Sequence, residues 1–381
     1  MSTQIDPTTP PAYEFPPYKS LDNDVLTERI RKVRDAMGPR LLILGHHYQR
    51  DSVIELSNLR GDSYKLSATA ADNRECEAIV FCGVHFMAET ADILANRPER
   101  LAERNGRRIP VVLPDLKAGC SLANMANLDQ VEDCWRQLGN VIDTGDLTPI
   151  TYVNSTAALK AFCGRHGGIV CTSANAEKAL RWAFERRSRA LFFPDQHLGR
   201  NTARAMGIPL EQMPVWDPRE YALGGNSEEA IGAGRVILWR GHCNIHQMFL
   251  PGYVDYFRKK YPGIKIIVHP ECPMEVVDRA DMSGSTGKIL QAAEASPPGT
   301  RWAVGTELNM VTRLKRDYPD REVHFLSPMV AICPTMFRIT LSRLCWSLEN
   351  LAADTPVNVV KVNDETAAGA LEALKRMLEL A

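Results

Sequence analysis

The sequence lacks the features that would place the protein in or across a membrane. It contains no stretch of 18 consecutive apolar residues, and its start, MSTQIDPTTPPAYEFPPYK, is polar and proline-rich rather than a signal peptide. It also lacks an excess of charge of either sign, because 45 Lys and Arg residues face 46 Asp and Glu residues. We therefore expect a cytoplasmic protein that acts on small molecules, with neither a membrane nor a nucleic acid among its partners.

Close cysteine pairs are absent as well. The chain has ten cysteines, but no two of them stand in a CxxC spacing. In a reducing compartment they are not expected to form disulfides, and most should be buried as small apolar side chains. Any cysteine with another role should bind a metal or react.

What is present indicates an α/β fold. The 381 residues, 45% of them hydrophobic, are enough for two or three domains. Short apolar runs alternate with helical patterns, which predicts parallel sheets covered by helices on both faces. The predicted strands are Leu41–Leu44, Ile79–Phe81, Pro110–Leu113, Ile150–Val153, Ile169–Cys171, Leu191–Phe193, Val236–Trp239, Ile264–Val268, Trp302–Val304 and Val323–Leu326. Ten strands are many for one open sheet, so we expect three small ones.

A weak internal repeat supports three similar domains. Three times a predicted strand leads into a loop with a cysteine and then a helix, at Cys120, Cys243 and Cys333. The segment 208–235 is Gly/Pro-rich and reads as an irregular insertion. Repeats of this size indicate duplicated domains rather than a solenoid.

The three repeated cysteines are candidate metal ligands. Pro334 fits the first position of a helix, which would place the sulfur of Cys333 at a helix N-terminus, where the thiolate is favoured. Ligands of open α/β sheets bind beyond the carboxyl ends of the strands, and if three similar domains meet around an axis, the three loops could converge at one point. Three thiolates suggest either zinc with an open position or a [4Fe-4S] cluster with one free iron. A buried packing role is the remaining interpretation, and it is the one we adopt for the other seven cysteines.

Several other predicted strands end in polar residues. His46 and His269 follow strands and stand beside Tyr48 and Glu271, where acid–base work is plausible. His246 lies about one helical turn after the second repeated cysteine and could face the same site. Hydroxyl and amide side chains at predicted helix starts suit carboxylate or phosphate ligands, although each one alone is more often a helix cap.

These residues stand in motifs that resemble those of the quinolinate synthase family. The motifs are GHHYQ (45–49), GDSYKLS (61–67), VFCGVHFMAET (80–90), PDLKAGCSLANM (114–125), YVNSTAALKA (152–161), CTSANA (171–176), FPDQHLGRN (193–201), WRGHCNIH (239–246), HPECP (269–273), SGSTGK (283–288), VGTELNMVTRL (304–314) and CPTM (333–336). They cover residues 40–345 in one order. The proline-rich start and the longer region around 208–235 depart from the family's pattern.

The resemblance implies three pseudo-equivalent three-layer αβα domains with small parallel sheets around a central [4Fe-4S] cluster. The first domain would comprise 21–117 plus 340–381, the second 118–240 with the insertion, and the third 241–339, with 1–20 as an N-terminal arm. The cluster ligands implied are Cys120, Cys243 and Cys333. The implied substrate-binding residues are His46, Ser63, Tyr152, Val153, Asn154, Ser173, His269, Pro270, Glu271 and Thr286.

The reaction implied is the condensation of iminosuccinate (iminoaspartate) with dihydroxyacetone phosphate to quinolinate, phosphate and two waters, in de novo NAD biosynthesis. Glu271 and Tyr48 would move protons, with His269 assisting. An L-aspartate oxidase or dehydrogenase would supply the imine. The alternatives are another [4Fe-4S] hydro-lyase of the aconitase kind, an iron–sulfur sensor without catalysis, and a structural zinc protein.

Overall fold

The computed structural model describes residues 11–380. The strands are β1 (Leu41–His46), β2 (Leu59–Gly61), β3 (Ala78–Cys82), β4 (Val111–Val112), β5 (Leu147–Tyr152), β6 (Ile169–Cys171), β7 (Arg189–Phe193), β8 (Val215–Trp216), β9 (Val236–Trp239), β10 (Lys265–Val268), β11 (Met282–Ser283), β12 (Arg301–Gly305), β13 (Glu322–Phe325) and β14 (Val359–Val360). The helices are α1 (Asn23–Met37), α2 (Asp51–Ile54), α3 (Ser63–Asp72), α4 (His85–Ala95), α5 (Pro98–Glu103), α6 (Leu128–Leu138), α7 (Ala157–Arg165), α8 (Ala176–Phe184), α9 (Gln196–Ala205), α10 (Glu228–Ala233), α11 (Pro251–Lys260), α12 (Met274–Val277), α13 (Thr286–Ala295), α14 (Leu308–Asp317), α15 (Leu341–Ala352) and α16 (Asp364–Glu379). Across this range, none of the helices combines the length and the apolar character needed to cross a membrane.

The described residues divide into two compact units. The first contains the chain up to Cys120 together with Cys333–Ala367, and the second contains Ser121–Ile332 together with the residues from Ala368 onward. The chain therefore passes from one unit to the other directly after one predicted cluster ligand and returns directly before another. The boundaries of the three predicted domains stay a prediction.

The first unit contains one five-stranded sheet in the order β14-β4-β3-β1-β2. Its strands are parallel except β14, which pairs with β4 in the antiparallel direction. Every residue of β1 and β3 is buried. Continuous apolar runs of this kind form strands that need cover on both faces, which the flanking helices provide.

The second unit contains two parallel sheets, in the orders β6-β5-β7-β9-β8 and β11-β10-β12-β13. The prediction that 208–235 is irregular is wrong in part. This segment contributes β8, which pairs with β9 and buries Trp216, and it also contains α10. A two-residue strand is too short to give an alternation that sequence patterns can detect.

All three sheets share one strand order. In each, the first strand along the chain lies between the second and the third, as β2-β1-β3, β6-β5-β7 and β11-β10-β12. In doubly wound sheets of this order, ligands bind beyond the carboxyl ends of the first and third strands, where the winding reverses. The predicted α/β class with small parallel sheets is confirmed. Functional side chains are therefore expected at the three switch points.

Candidate active site

Burial separates the three predicted cluster ligands from the other cysteines. All ten cysteines lie within the described range; Cys120, Cys243 and Cys333 are partly accessible and the remaining seven are buried. Burial raises the pKa of each of those seven thiols because the charged thiolate is poorly solvated there. The seven are Cys76, Cys82, Cys134, Cys163, Cys171, Cys272 and Cys345. Metal binding requires thiolates, so the three accessible cysteines are the suitable ones.

The three accessible cysteines also share one local backbone pattern. A short 3-10 helix begins three residues after each of them, at Ala123, His246 and Met336, and an α-helix begins eight residues after each. The predicted helix start at Pro334 is therefore wrong, because α15 begins only at Leu341. The shared pattern supports the internal repeat, whereas the argument that a helix N-terminus stabilises the thiolate does not apply.

Within the first unit, a buried carboxylate joins the two cysteine segments. Asp115 lies 2.8 Å from the guanidinium of Arg338 and 3.3 Å from that of Arg343. It also accepts a 2.9 Å hydrogen bond from the N–H of Lys117, in the loop that leads to Cys120. Since Arg338 closes the 3-10 helix after Cys333, Asp115 ties the loop of one predicted ligand to the segment of another.

Replacement of Asp115 by asparagine is expected to lower the iron content of anaerobically prepared protein. The amide cannot balance two guanidinium groups, and the lost pairing costs about 1–2 kcal/mol because the arginines are partly exposed. Metal analysis together with thermal unfolding measures both effects. Asp35→Asn, at an exposed position of α1, is the matched control. Unchanged iron content in Asp115→Asn would show that the ion pair does not position the cysteines.

The carboxyl end of β1 presents a histidine in a defined tautomer. Nδ1 of His46 accepts a 3.2 Å hydrogen bond from the backbone N–H of Tyr48, so the ring proton of the neutral imidazole resides on Nε2. The rings of His46 and Tyr48 meet edge to face, with their centres 4.8 Å apart. His46 pairs with Gly61 of the adjacent strand β2, and α3 begins two residues after Gly61, at Ser63. An Nε2–H donor beside a helix start suits an anionic ligand.

The turn that carries Tyr48 is attached to the Cys333 segment. Nε2 of Gln49 donates to the sulfur of Met336 at 3.6 Å, and the guanidinium of Arg50 lies 4.4 Å from the centre of the Phe337 ring. In the first unit, neighbouring side chains thus connect the turn with Tyr48 to the Cys333 segment, and Asp115 connects that segment to the loop before Cys120.

In the second unit, four predicted substrate-binding residues lie at the carboxyl ends of β5 and β6. Tyr152 pairs with Cys171, and the N–H of Val153 donates to the Cys171 carbonyl at 2.7 Å, two residues before Ser173. The side-chain oxygen of Asn154 is buried and accepts no hydrogen bond from the described residues. A buried acceptor without a partner is costly unless a ligand supplies a donor.

The carboxyl end of β10 carries a buried acid–base cluster. Oε2 of Glu271 lies 3.0 Å from Nδ1 of His269 and 3.2 Å from Nδ1 of His246. The two imidazole rings are stacked 4.3 Å apart at 9°, and Nε2 of His246 lies 3.3 Å from the hydroxyl of Thr306. His246, which the sequence placed near Cys243, is part of this cluster.

The electrostatics of the cluster keep Glu271 ionised. Burial alone would raise its pKa, but hydrogen bonds and attraction from His246 and His269 outweigh burial and hold the pKa below its usual range. Burial and the neighbouring imidazole lower the pKa of His269, which therefore favours the neutral form. Glu271 is therefore present as the carboxylate, which is the form that a proton acceptor requires.

A cysteine sulfur lies close to this cluster. Sγ of Cys243, a ring nitrogen of His246 and a carboxylate oxygen of Glu271 all lie within 4.8 Å of one another. The imidazole and the carboxylate already interact with each other, so we retain only the cysteine as a candidate cluster ligand. The structure therefore brings a predicted ligand and two predicted catalytic residues, Glu271 and His269, into one buried region of the second unit.

The last predicted substrate residue, Thr286, is the buried first residue of α13, whose N-terminus Ser285 caps by accepting from the N–H of Lys288. Pro270 accepts a 2.9 Å hydrogen bond through its carbonyl from Asn201. The hydroxyl of Ser283, at the end of β11, is buried without a hydrogen-bond partner in the described part of the chain. These residues place donors and acceptors along the edge that also carries Glu271.

Three residues near this site were not predicted: Asp195, Asn201 and Thr306. Asp195 follows β7 and caps α9, Asn201 lies on α9, and Thr306 follows β12. Two of them stand directly beyond strands at a switch point. For Asp195 and Thr306, the position beyond a strand end is the sequence signal that could identify them.

Small parallel sheets with accessible thiols and a buried acid–base cluster beyond their strand ends define an α/β enzyme that acts on small molecules. The sequence matches the family described as Quinolinate synthetase A protein over residues 28–379, and the chain belongs to that family. The quinolinate synthase of Rhodopirellula baltica is 60% identical over 97% of this chain and 98% of its own length. Those of Corynebacterium glutamicum and Geobacillus kaustophilus are each 50% identical, over 95% and 96% of this chain and 89% and 96% of their own lengths. The predicted family is confirmed.

Proposed function

We propose that the protein is a cytoplasmic quinolinate synthase, which condenses iminosuccinate with dihydroxyacetone phosphate to quinolinate, phosphate and two waters in de novo NAD biosynthesis. The observation that carries the proposal is the set of three accessible cysteines in one shared local pattern, among seven buried ones. Family membership over almost the whole chain supports the same reaction.

Cys120, Cys243 and Cys333 would hold a [4Fe-4S] cluster. Thiolate sulfur is the donor that such clusters use, and the accessibility of these three cysteines fits the role. When bound through three cysteines, the cluster supplies a Lewis-acidic iron with an open position for a substrate oxygen. The other seven cysteines remain packing residues.

The substrate-binding residues suit two anions. His46 offers an Nε2–H donor, and Ser63 and Thr286 begin helices whose free backbone N–H groups attract carboxylate or phosphate oxygens. Asn154 contributes an amide whose buried oxygen needs a donor. The proposed set is completed by Tyr152, Val153, Ser173, His269, Pro270 and Glu271.

Proton transfer falls to Glu271 and Tyr48, with His269 assisting. Ring formation with loss of two waters requires a base that removes protons from carbon or nitrogen and an acid that protonates departing hydroxyl groups. Glu271 is ionised and fixed by two imidazoles, so it can act as the base and later return the proton. His269 would assist from its position beside the carboxylate, with Nδ1 3.0 Å from Oε2 of Glu271.

An imine substrate hydrolyses readily in water. It must therefore be supplied by an enzyme that oxidises or dehydrogenates aspartate, and we propose an L-aspartate oxidase or dehydrogenase as the functional partner. The buried position of Glu271 is consistent with a reaction that has to exclude water.

The test is an anaerobic assay of the wild-type protein with both substrates, with each alone, and with citrate. Quinolinate is expected only when both substrates are present, from a brown protein that contains iron and sulfide. A colourless protein containing zinc would contradict the proposal. Conversion of citrate without quinolinate formation would instead indicate a hydro-lyase of the aconitase kind, and iron without either reaction a sensor.

A further inference from the structure

Two buried carboxyl groups of the second unit, Asp195 and Glu271, interact with each other, and each has one oxygen without a hydrogen-bond partner among the described residues. Oδ1 of Asp195 accepts a 2.8 Å hydrogen bond from the N–H of Leu198, but its Oδ2 is buried and has no hydrogen-bond partner within residues 11–380. Oε2 of Glu271 faces the two imidazoles, but its Oε1 is likewise buried without a partner among the residues described. The two side chains lie within hydrogen-bonding reach of each other. Two neighbouring buried oxygens that can only accept hydrogen bonds both stay unsatisfied, unless one of the carboxyl groups carries a proton that lies between them.

We propose that Asp195 remains protonated and donates its Oδ2–H to Oε1 of Glu271, and that it acts as the positioning residue of this catalytic carboxylate. The inference rests on the proposed function for the role of Glu271. One proton satisfies both orphan oxygens, and two adjacent carboxylates that share a buried site cannot both be ionised.

The surroundings decide which carboxyl group carries the proton. Two imidazole nitrogens lie within 3.2 Å of Oε2 of Glu271, and the two histidines favour its charged form. Asp195 has backbone N–H donors from Leu198 and His197, but burial and the negative charge of Glu271 together raise its pKa well above the usual range. The neutral acid is therefore Asp195, and the donor direction runs from Asp195 to Glu271.

A second contact from the same helix supports a positioning role. Nδ2 of Asn201 donates 2.9 Å hydrogen bonds to the carbonyls of Pro270 and Cys272, which flank Glu271. Asn201 of α9 thus holds the main chain on both sides of Glu271, and Asp195, the N-cap of α9, would hold the Glu271 side chain. This assigns a role to the FPDQHLGRN motif, which the proposed mechanism otherwise leaves unused.

The kinetic test compares Asp195→Asn with Asp195→Ala. The asparagine amide can still accept from Leu198 and donate permanently to Glu271, so kcat is expected to stay within about threefold of wild type. The alanine variant leaves Oε1 without a donor and the carboxylate free to shift, and a misplacement of this kind lowers kcat about 10- to 100-fold while KM changes little. Ser227→Ala, which removes the N-cap of α10, controls for the loss of a helix cap alone and should leave kcat unchanged.

A loss in Asp195→Asn as large as that in Asp195→Ala, with iron content and melting temperature retained, would overturn the proposal, because it would mean that Asp195 acts as an ionised group. Full kcat in Asp195→Ala would overturn it too.

Infrared spectroscopy tests for the shared proton directly, and it needs neither an activity assay nor a variant. Wild-type protein at neutral pH should show the carbonyl stretch of a neutral carboxylic acid, shifted when aspartate is labelled with ¹³C at its side-chain carboxyl. Absence of such a band, or a shift with labelled glutamate instead, would contradict the assignment. Because this readout does not need quinolinate, its failure is distinguishable from a failure of the proposed function.

Discussion

Alanine in place of Cys120, Cys243 or Cys333 is expected to leave anaerobically prepared protein with less than about a tenth of the wild-type iron and sulfide, and without quinolinate formation. A [4Fe-4S] cluster contains about four irons and four sulfides per chain, and each lost thiolate removes one of its three protein bonds. The expected loss is large because two remaining thiolates cannot retain a cubane against dilution. Metal and sulfide analysis with a visible spectrum measures it directly.

The control uses the same substitution at buried cysteines. Cys134→Ala in α6 and Cys345→Ala in α15 remove thiols that burial keeps protonated, so both should retain the cluster and lose only about 1 kcal/mol of stability. Iron content that survives in any of the three accessible-cysteine variants would remove that residue from the ligand set. Equal losses in the control variants would show that the cysteines act through folding instead.

The sequence predicted every strand that is buried along a continuous apolar run. All ten predicted strands are present, and Ile169–Cys171 and Val236–Trp239 have the predicted bounds. The strands that were missed are β2, β8, β11 and β14, which have two or three residues each and lie at sheet edges. Each missed strand is very short and leaves at least one side chain incompletely buried, so it offers too few apolar positions for a hydrophobic pattern to be recognised.

The candidate site shows a different limit. The cysteine repeat was sufficient to select Cys243, and the position after a strand was sufficient to select His269 and Glu271. Local sequence determines which residues come directly after a strand. The contact between Asp195 and Glu271 could not be predicted, since the two residues follow strands of different sheets, 76 positions apart in the chain. Only the packing of α9 against the loop after β10 brings them together.

The same limit explains the error at Pro334. Proline fits a helix start by its fixed φ, but the residue also fits the turn that precedes a 3-10 helix, and the structure has the turn. Local propensity alone does not distinguish these two settings. The identical spacing after all three cysteines, which is visible only once the helices are located, does.

Replacement of Glu271 by glutamine is expected to lower kcat about 100-fold or more, the contribution that a positioned acid–base group typically makes. Glutamine keeps the size of the side chain and can still accept a hydrogen bond from an imidazole, but it cannot take up a proton at the pH of the assay. Since Glu271 is not a proposed cluster ligand, iron and sulfide contents should stay at the wild-type level and KM should change much less than kcat. Steady-state kinetics on anaerobic protein, normalised to iron, measure the effect.

Glu275→Gln provides the matched control, because it makes the same change four residues further on, at an exposed position of α12. It should leave kcat and iron content unchanged. Full kcat in Glu271→Gln with an intact cluster would remove this carboxylate from the mechanism, whereas loss of iron in that variant alone would make it a ligand or a support of the cluster. Only a fall in kcat at constant iron content assigns Glu271 to proton transfer. The substitution also changes the electrostatic balance around the two imidazoles, but that change alone does not release a metal held by thiolates.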